Sequence, residues 1–200
     1  MTLTSKLMTL AEYLEYDAGT EKRYELVDGV LIEMPPESTR NTRIALFLLS
    51  EFLKLLPFQK ISHKDYELVV SGARTRVRFP DLMVFTDELV EALSGATRGT
   101  ILLDMPPPEI VVEVVSPGKP NRALLRRYRK GRDYRYKRSE YAARGIAEYW
   151  VIDPDEAQIT LLTLVDGFYE AVVLRGSDRI QSAQLPELQL TIEQVMQAGE

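Results

Sequence analysis

Apolar positions along this chain recur three and four apart in some stretches and alternate or run unbroken in others, which predicts helices interleaved with strands. Ile44, Phe47, Leu48, Phe52 and Leu55 form one helical stripe between Ser38, a capping residue, and Pro57, which stops the helix at about Leu56. A short amphipathic helix is expected over Leu7–Tyr16, and another over Asp133–Arg144, closed by Gly145 as a left-handed cap. Strands Tyr24–Val27 and Val30–Met34 flank Asp28-Gly29, a pair that supplies the positive φ angles of a tight hairpin turn. Three extended segments follow: Lys60–Val70, Arg74–Phe85 divided by Pro80, and Glu109–Val115. The last is apolar on both faces, as in a strand covered from both sides. Glu148–Ile152, Gln158–Val165 and Phe168–Leu174 close the chain as an antiparallel meander, with Asp166-Gly167 as a second hairpin turn. The expected fold class is α/β (α+β), a mixed central β-sheet flanked by helices with a C-terminal antiparallel meander.

Two hundred residues at 45% hydrophobic and 28% charged suit one globular domain spanning 1–200, since no repeat, low-complexity tract or Gly/Ser linker divides them. The longest apolar runs, Ile44–Leu49 and Ile110–Val115, fall far short of the roughly 20 residues that cross a bilayer, so no membrane partner is expected. Cysteine is absent, which excludes disulfides, thiolate catalysis and cysteine-based zinc sites. With no export signal read in Met1–Leu7, a cytoplasmic location is expected.

The net charge of −5 is unevenly spread. Lys119–Arg138 holds ten basic residues and one acid, Asp133; that segment is +9, leaving −14 on the other 180 residues. Such asymmetry is the electrostatic footprint of a phosphate-backbone contact, and also of a solvated helical face.

Two acids interrupt apolar strands. Glu113 lies within Ile110-Val111-Val112-Glu113-Val114-Val115, where an unpaired carboxylate would cost several kcal/mol. A buried arginine or lysine partner would compensate it, and so would a metal ion. Asp81 poses the same question just after Pro80, at a strand edge where a side chain can be re-aimed. Two carboxylates on adjacent strands can share one hard cation such as magnesium, which takes oxygen ligands and keeps several waters. Phosphodiester hydrolysis also wants a fixed positive charge near the attacking water. The position two residues after the second acid is Val115, whereas Lys137 on the following helix can lay its stem on the sheet and reach the carboxylates, with Tyr141 sharing its face.

Pro80-Asp81, Val112-Glu113-Val114-Val115-Ser116-Pro117, Arg132-Asp133, Lys137, Tyr141, Gly145-Ile146 and Glu148-Tyr149-Trp150-Val151-Ile152-Asp153 together resemble the Uma family of restriction-endonuclease-like proteins, within the PD-(D/E)XK nuclease superfamily. Tyr24–Gly29 and Glu33-Met34-Pro35 extend the resemblance over most of the chain, from about Leu10 onward. The resemblance implies a restriction-endonuclease-like fold, a divalent metal held by Asp81 and Glu113, and a catalytic lysine displaced from the strand to Lys137. It also draws attention to Glu25, since an acid recurs at that position, as an auxiliary metal or water contact; the plainer alternative is a strand-edge ion pair.

His63, the single histidine, lies in a polar run and is expected to be exposed. Tyr149 and Trp150 are expected to pack within a strand rather than stack on bases. No phosphate-binding glycine loop occurs, so no nucleotide cofactor is expected. The leading expectation is a Mg²⁺- or Mn²⁺-dependent endonuclease acting on DNA, with Asp81, Glu113, Lys137 and Glu25 catalytic and Arg126, Arg127, Arg129 and Lys130 on the phosphate backbone. A homodimer would match duplex symmetry, with the closing meander and Leu185–Leu188 as interface candidates. The alternatives are a catalytically silent nucleic-acid- or protein-binding module of the same fold, and a metal hydrolase acting on something other than nucleic acid.

Overall fold

The computed structural model describes residues 7–16, 19, 23–34, 36–71, 76–116 and 135–200. Its helices are α1 (Leu10–Leu14), α2 (Thr39–Phe52), α3 (Asp87–Ala92), α4 (described over 135–144) and α5 (Ile192–Gln197). Strands β1 (Tyr24–Val27), β2 (Val30–Glu33), β4 (Glu67–Val70), β5 (Arg76–Arg78) and β7 (Thr100–Ile101) form a five-stranded sheet in the order β2-β1-β5-β4-β7. Strands β3 (Ile61–Ser62), β6 (Leu82–Val84), β8 (Ile110–Val114), β9 (Glu148–Asp153), β10 (Gln158–Val165) and β11 (Phe168–Arg175) form a six-stranded sheet in the order β11-β10-β9-β8-β6-β3.

The expected meander is present as β9-β10-β11, and the one parallel contact of the larger sheet, β8 with β9, spans the connection that carries α4. Ile44, Leu48 and Phe52 of α2 and Ile192 and Val195 of α5 cover one face, on Leu82, Val112, Trp150 and Ile159. The other face, through Met83, Val111, Tyr149 and Leu162, meets Tyr141 of α4, Leu89 of α3 and Leu68 and Val70 of the smaller sheet. Helix α4 therefore lies between the sheets, and residues on its two sides can reach both.

Several sequence-based boundaries change. Lys60–Val70 and Arg74–Phe85 each divide between the two sheets, as β3 with β4 and β5 with β6, because apolar patterning marks a buried face and not the sheet that buries it. Helix α2 ends at Phe52 instead of near Leu56, since Pro57 disfavours helical geometry before it and the last turn tightens: Leu55 N–H donates to the Phe52 carbonyl three residues back. Helix α1 is shorter than expected, opening only at the capping box of Thr9 and Glu12. Leu185 and Leu188, named as interface candidates, are buried in this chain's own core. His63 is half-buried, and its Nε2 is buried without a hydrogen-bond partner among the described residues.

Both hairpin turns have positive φ at each central residue, Asp28 at 53° with Gly29 at 85°, and Asp166 at 49° with Gly167 at 82°. They differ in surroundings. A Cβ on Gly29 would lie 3.0 Å from the Leu7 Cβ and 3.2 Å from the Met8 carbonyl oxygen, whereas one on Gly167 would meet nothing within 4 Å. Gly167→Ala should therefore cost only the left-handed strain, about 1 kcal/mol, and Gly29→Ala about 2–3 kcal/mol as the N-terminal segment is also pushed away. Urea denaturation of the two variants measures the difference; equal losses would contradict the contact seen at Gly29.

Candidate active site

Strand alternation sends Ile110, Val112 and Val114 toward α2, so Glu113 points to the opposite face, toward α4. On the neighbouring strand Leu82 pairs with Val112, and continuing that register sets Asp81 opposite Glu113. Asp81 ends the short corner Phe79-Pro80-Asp81, where the chain leaves the smaller sheet and enters the larger one. Its backbone N–H donates to the Val112 carbonyl at 3.1 Å, and its carboxylate Oδ2 accepts from the Val114 N–H at 2.6 Å. The two acids singled out from the sequence are thus brought together on adjoining strands, each 8% exposed.

Each oxygen of Glu113 accepts one hydrogen bond from α4. Its Oε2 accepts from the Lys137 ammonium at 2.9 Å and its Oε1 from the Tyr141 hydroxyl at 2.8 Å, so the lysine and tyrosine predicted to share a helical face do so. Burial pushes the Glu113 carboxyl up to about 7; Lys137 pulls against that, while the nearby Asp81 and Glu25 charges reinforce it. The Tyr141 hydroxyl is likewise raised, by burial first and by Glu113 second.

Glu25 arrives from the smaller sheet. Leu26 pairs with Val77, which places Glu25 opposite Arg78, and Arg78 Nη1 donates to Glu25 Oε2 at 3.0 Å. Glu25 Oε1 lies 3.9 Å from Lys137 Nζ, so this carboxylate stands between a buried guanidinium and the lysine of the site. Helix α4 completes the link, because Glu140, three residues after Lys137, accepts from Arg78 Nε at 2.9 Å and Nη2 at 3.1 Å and is also paired with Arg76. Arg76 in turn holds Asp28 of the hairpin turn at 2.9 and 2.7 Å.

Sequence reasoning missed Arg76, Arg78, Glu140 and Lys64. The first two carried a signal, since Arg-Val-Arg puts two charges on one face of a strand and demands acids opposite them. Lys64 carried none. It follows β3, and its Nζ lies 3.2 Å from Asp81 Oδ1. Arg126, Arg127, Arg129 and Lys130 lie outside the described residues.

Asp81 and Glu113 offer hard oxygen donors, the set that suits magnesium or manganese over softer metals. Each carboxylate has two donors on it and four lone-pair sites, so both retain capacity for a cation. Among the described residues no group of three or more histidines, cysteines, aspartates or glutamates is placed to hold a metal ion, so the candidate site has two carboxylates. The residues present fit magnesium or manganese. No helix among the described residues is long and apolar enough to cross a membrane.

Comparison with known proteins gives a family and a fold. Residues 10–193 match the model of the Uma2 family, described as "Putative restriction endonuclease". An "uncharacterized protein" of Synechocystis sp. is 32% identical over 91 residues, which cover 42% of this chain and 49% of that protein. The chain thus aligns with about half the length of that relative. The crystal structure of a "putative nuclease belonging to DUF820" from Anabaena variabilis superposes with a TM-score of 0.71 at 18% identity, over 96% of this chain and 99% of the other. At that identity the likeness establishes the fold, and the expected nuclease-like α+β architecture is the one found.

Proposed function

Because the chain belongs to the Uma2 family, we propose that it is a divalent-metal-dependent endonuclease that hydrolyses DNA phosphodiester bonds. The observation that supports this most is the pairing of two buried carboxylates, Asp81 and Glu113, on adjoining strands, with the Lys137 ammonium 2.9 Å from one of them. Asp81 and Glu113 would hold the ion, Mg²⁺ or Mn²⁺. When bound it supplies Lewis-acid stabilisation at the phosphate and acidifies water.

The chain's own residues do the rest. Lys137, 7% exposed, keeps a fixed positive charge beside Glu113, where it orients the attacking water and offsets charge that builds on the phosphate. Tyr141 fixes the second oxygen of Glu113, so the carboxylate keeps one orientation. Glu25 stays close enough to share Lys137 and to contact water at the site. Arg126, Arg127, Arg129 and Lys130 would meet the nucleic-acid backbone, a homodimer would supply one site per strand, and the work would be done in the cytoplasm.

Supercoiled plasmid incubated with Mg²⁺ or Mn²⁺ tests this reading. Nicking that a chelator abolishes is the expected result. Salt-sensitive binding with no nicking in either metal would replace the nuclease with the catalytically silent module.

A further inference from the structure

Lys64 is an unlooked-for third cation at this site, after Lys137 and Arg78. Ser62 pairs with Met83, and continuing that register past the end of β3 places Lys64 opposite Asp81. The Lys64 backbone, two residues past the end of β3, is left-handed at φ 58°, an uncommon conformation for a residue with a side chain. Its ammonium is shared between two carboxylates, Asp81 Oδ1 at 3.2 Å and Glu37, just before the cap of α2.

The two oxygens of Asp81 are not equivalent. Oδ2 is fixed by the Val114 N–H, inside the sheet, which leaves Oδ1 as the oxygen on the outer side of the site. That is the atom Lys64 faces. An ammonium and a divalent cation beside one carboxylate oxygen repel each other, so occupancy by one disfavours the other. Lys137 cannot yield in the same way, because it is enclosed between Glu113 and Glu25. Lys64 can: its side chain is 18% exposed on a flexible four-carbon stem, and Glu37 offers its charge a second carboxylate.

We propose that Lys64 is a built-in counter-cation of the metal ligand Asp81, exchanged for the divalent ion on loading, with Glu37 receiving the displaced ammonium. This rests on the metal-nuclease reading above. Lys64 is therefore a positioning residue that sets metal affinity, and Glu37 acts through it.

Mn²⁺ titration of the full chain, followed by the electron-spin signal of the free ion, tests this without recourse to activity. Relative to wild type, Lys64→Met should bind Mn²⁺ about tenfold more tightly, within the usual range of coupling between linked sites. Lys64→Arg should stay near wild type, since it keeps the charge. Glu37→Gln should bind several-fold more weakly, and the double variant should match Lys64→Met alone, because Glu37 has nothing left to hold. If Lys64→Met does not fold, as judged by circular dichroism, Lys64→Gln carries the same expectation. Unchanged or weaker binding by the uncharged variants, while wild type binds and Asp81→Asn does not, overturns the proposal and leaves the metal site standing. Absence of Mn²⁺ binding from wild type and Lys64→Met alike overturns both.

Discussion

Glu113→Gln and Lys137→Met should each reduce plasmid nicking by about a hundred- to a thousandfold, the scale expected when one electrostatic element of a preorganised site is removed. Glu113→Gln keeps the shape of the side chain and can still accept a hydrogen bond from Lys137, but it takes away the negative charge that attracts a cation. Lys137→Met keeps the stem packed against the sheet and removes only the ammonium. Its loss also strands Glu113: burial already pushes that carboxyl up to about 7 against the pull of Lys137, so without the lysine it rises further and is more protonated at neutral pH. Both variants should thus fail by weakening the same pair, and the double variant should be little worse than either single one. The check is nicking rate across a Mn²⁺ titration, with near-ultraviolet circular dichroism confirming the fold. Wild-type rates in either variant would remove that residue from the mechanism.

The largest loss of stability is expected at Arg78, which touches neither Asp81 nor Glu113 but holds the elements around them together. Arg78 is 2% exposed and serves both Glu140 and Glu25, and it joins the smaller sheet to α4. Burial lowers its pKa, but hydrogen bonds and charge from the two acids outweigh that, so it stays ionised. Among the described residues, Arg78→Met would leave Glu140 with Arg76 and Glu25 with the Phe79 N–H at 3.5 Å and the more distant Lys137. Removing one partner of a buried ion network typically costs 3–5 kcal/mol, which for a chain of this size lowers Tm by roughly 6–20 °C. Arg78→Met combined with Glu140→Leu should recover part of the loss, because the stranded charge goes with its partner. Thermal denaturation measures both, and a fall of less than about 1 kcal/mol in the single variant would show that the network is not what holds α4 in place.

What could be read before the structure was mostly local. Asp28-Gly29 and Asp166-Gly167 announce their turns because few other pairs tolerate two positive φ angles. Glu113 stood out because a charge in an unbroken apolar strand is costly, and Lys137 because a lysine on the following helix can lay its stem across the sheet and because the family resemblance implies a displaced lysine there. The division into two sheets was not legible. Lys60–Val70 and Arg74–Phe85 each change sheets midway, and the faces they bury look alike in the sequence whichever sheet receives them. Lys64 was hidden for the same reason, as its place beside Asp81 depends on the pairing of β3 with β6. Helix α5 could have been found: Thr191 and Gln194 form a capping box ahead of buried Ile192, Val195 and Met196.

The central claim is that Asp81 and Glu113 share one divalent ion, and a crystal soaked in Mn²⁺ tests it most directly. Anomalous difference density at the manganese absorption edge should show a peak coordinated by carboxylate oxygens of both residues. A peak that touches neither, or no peak between them in a crystal exposed to ample Mn²⁺, would contradict the account.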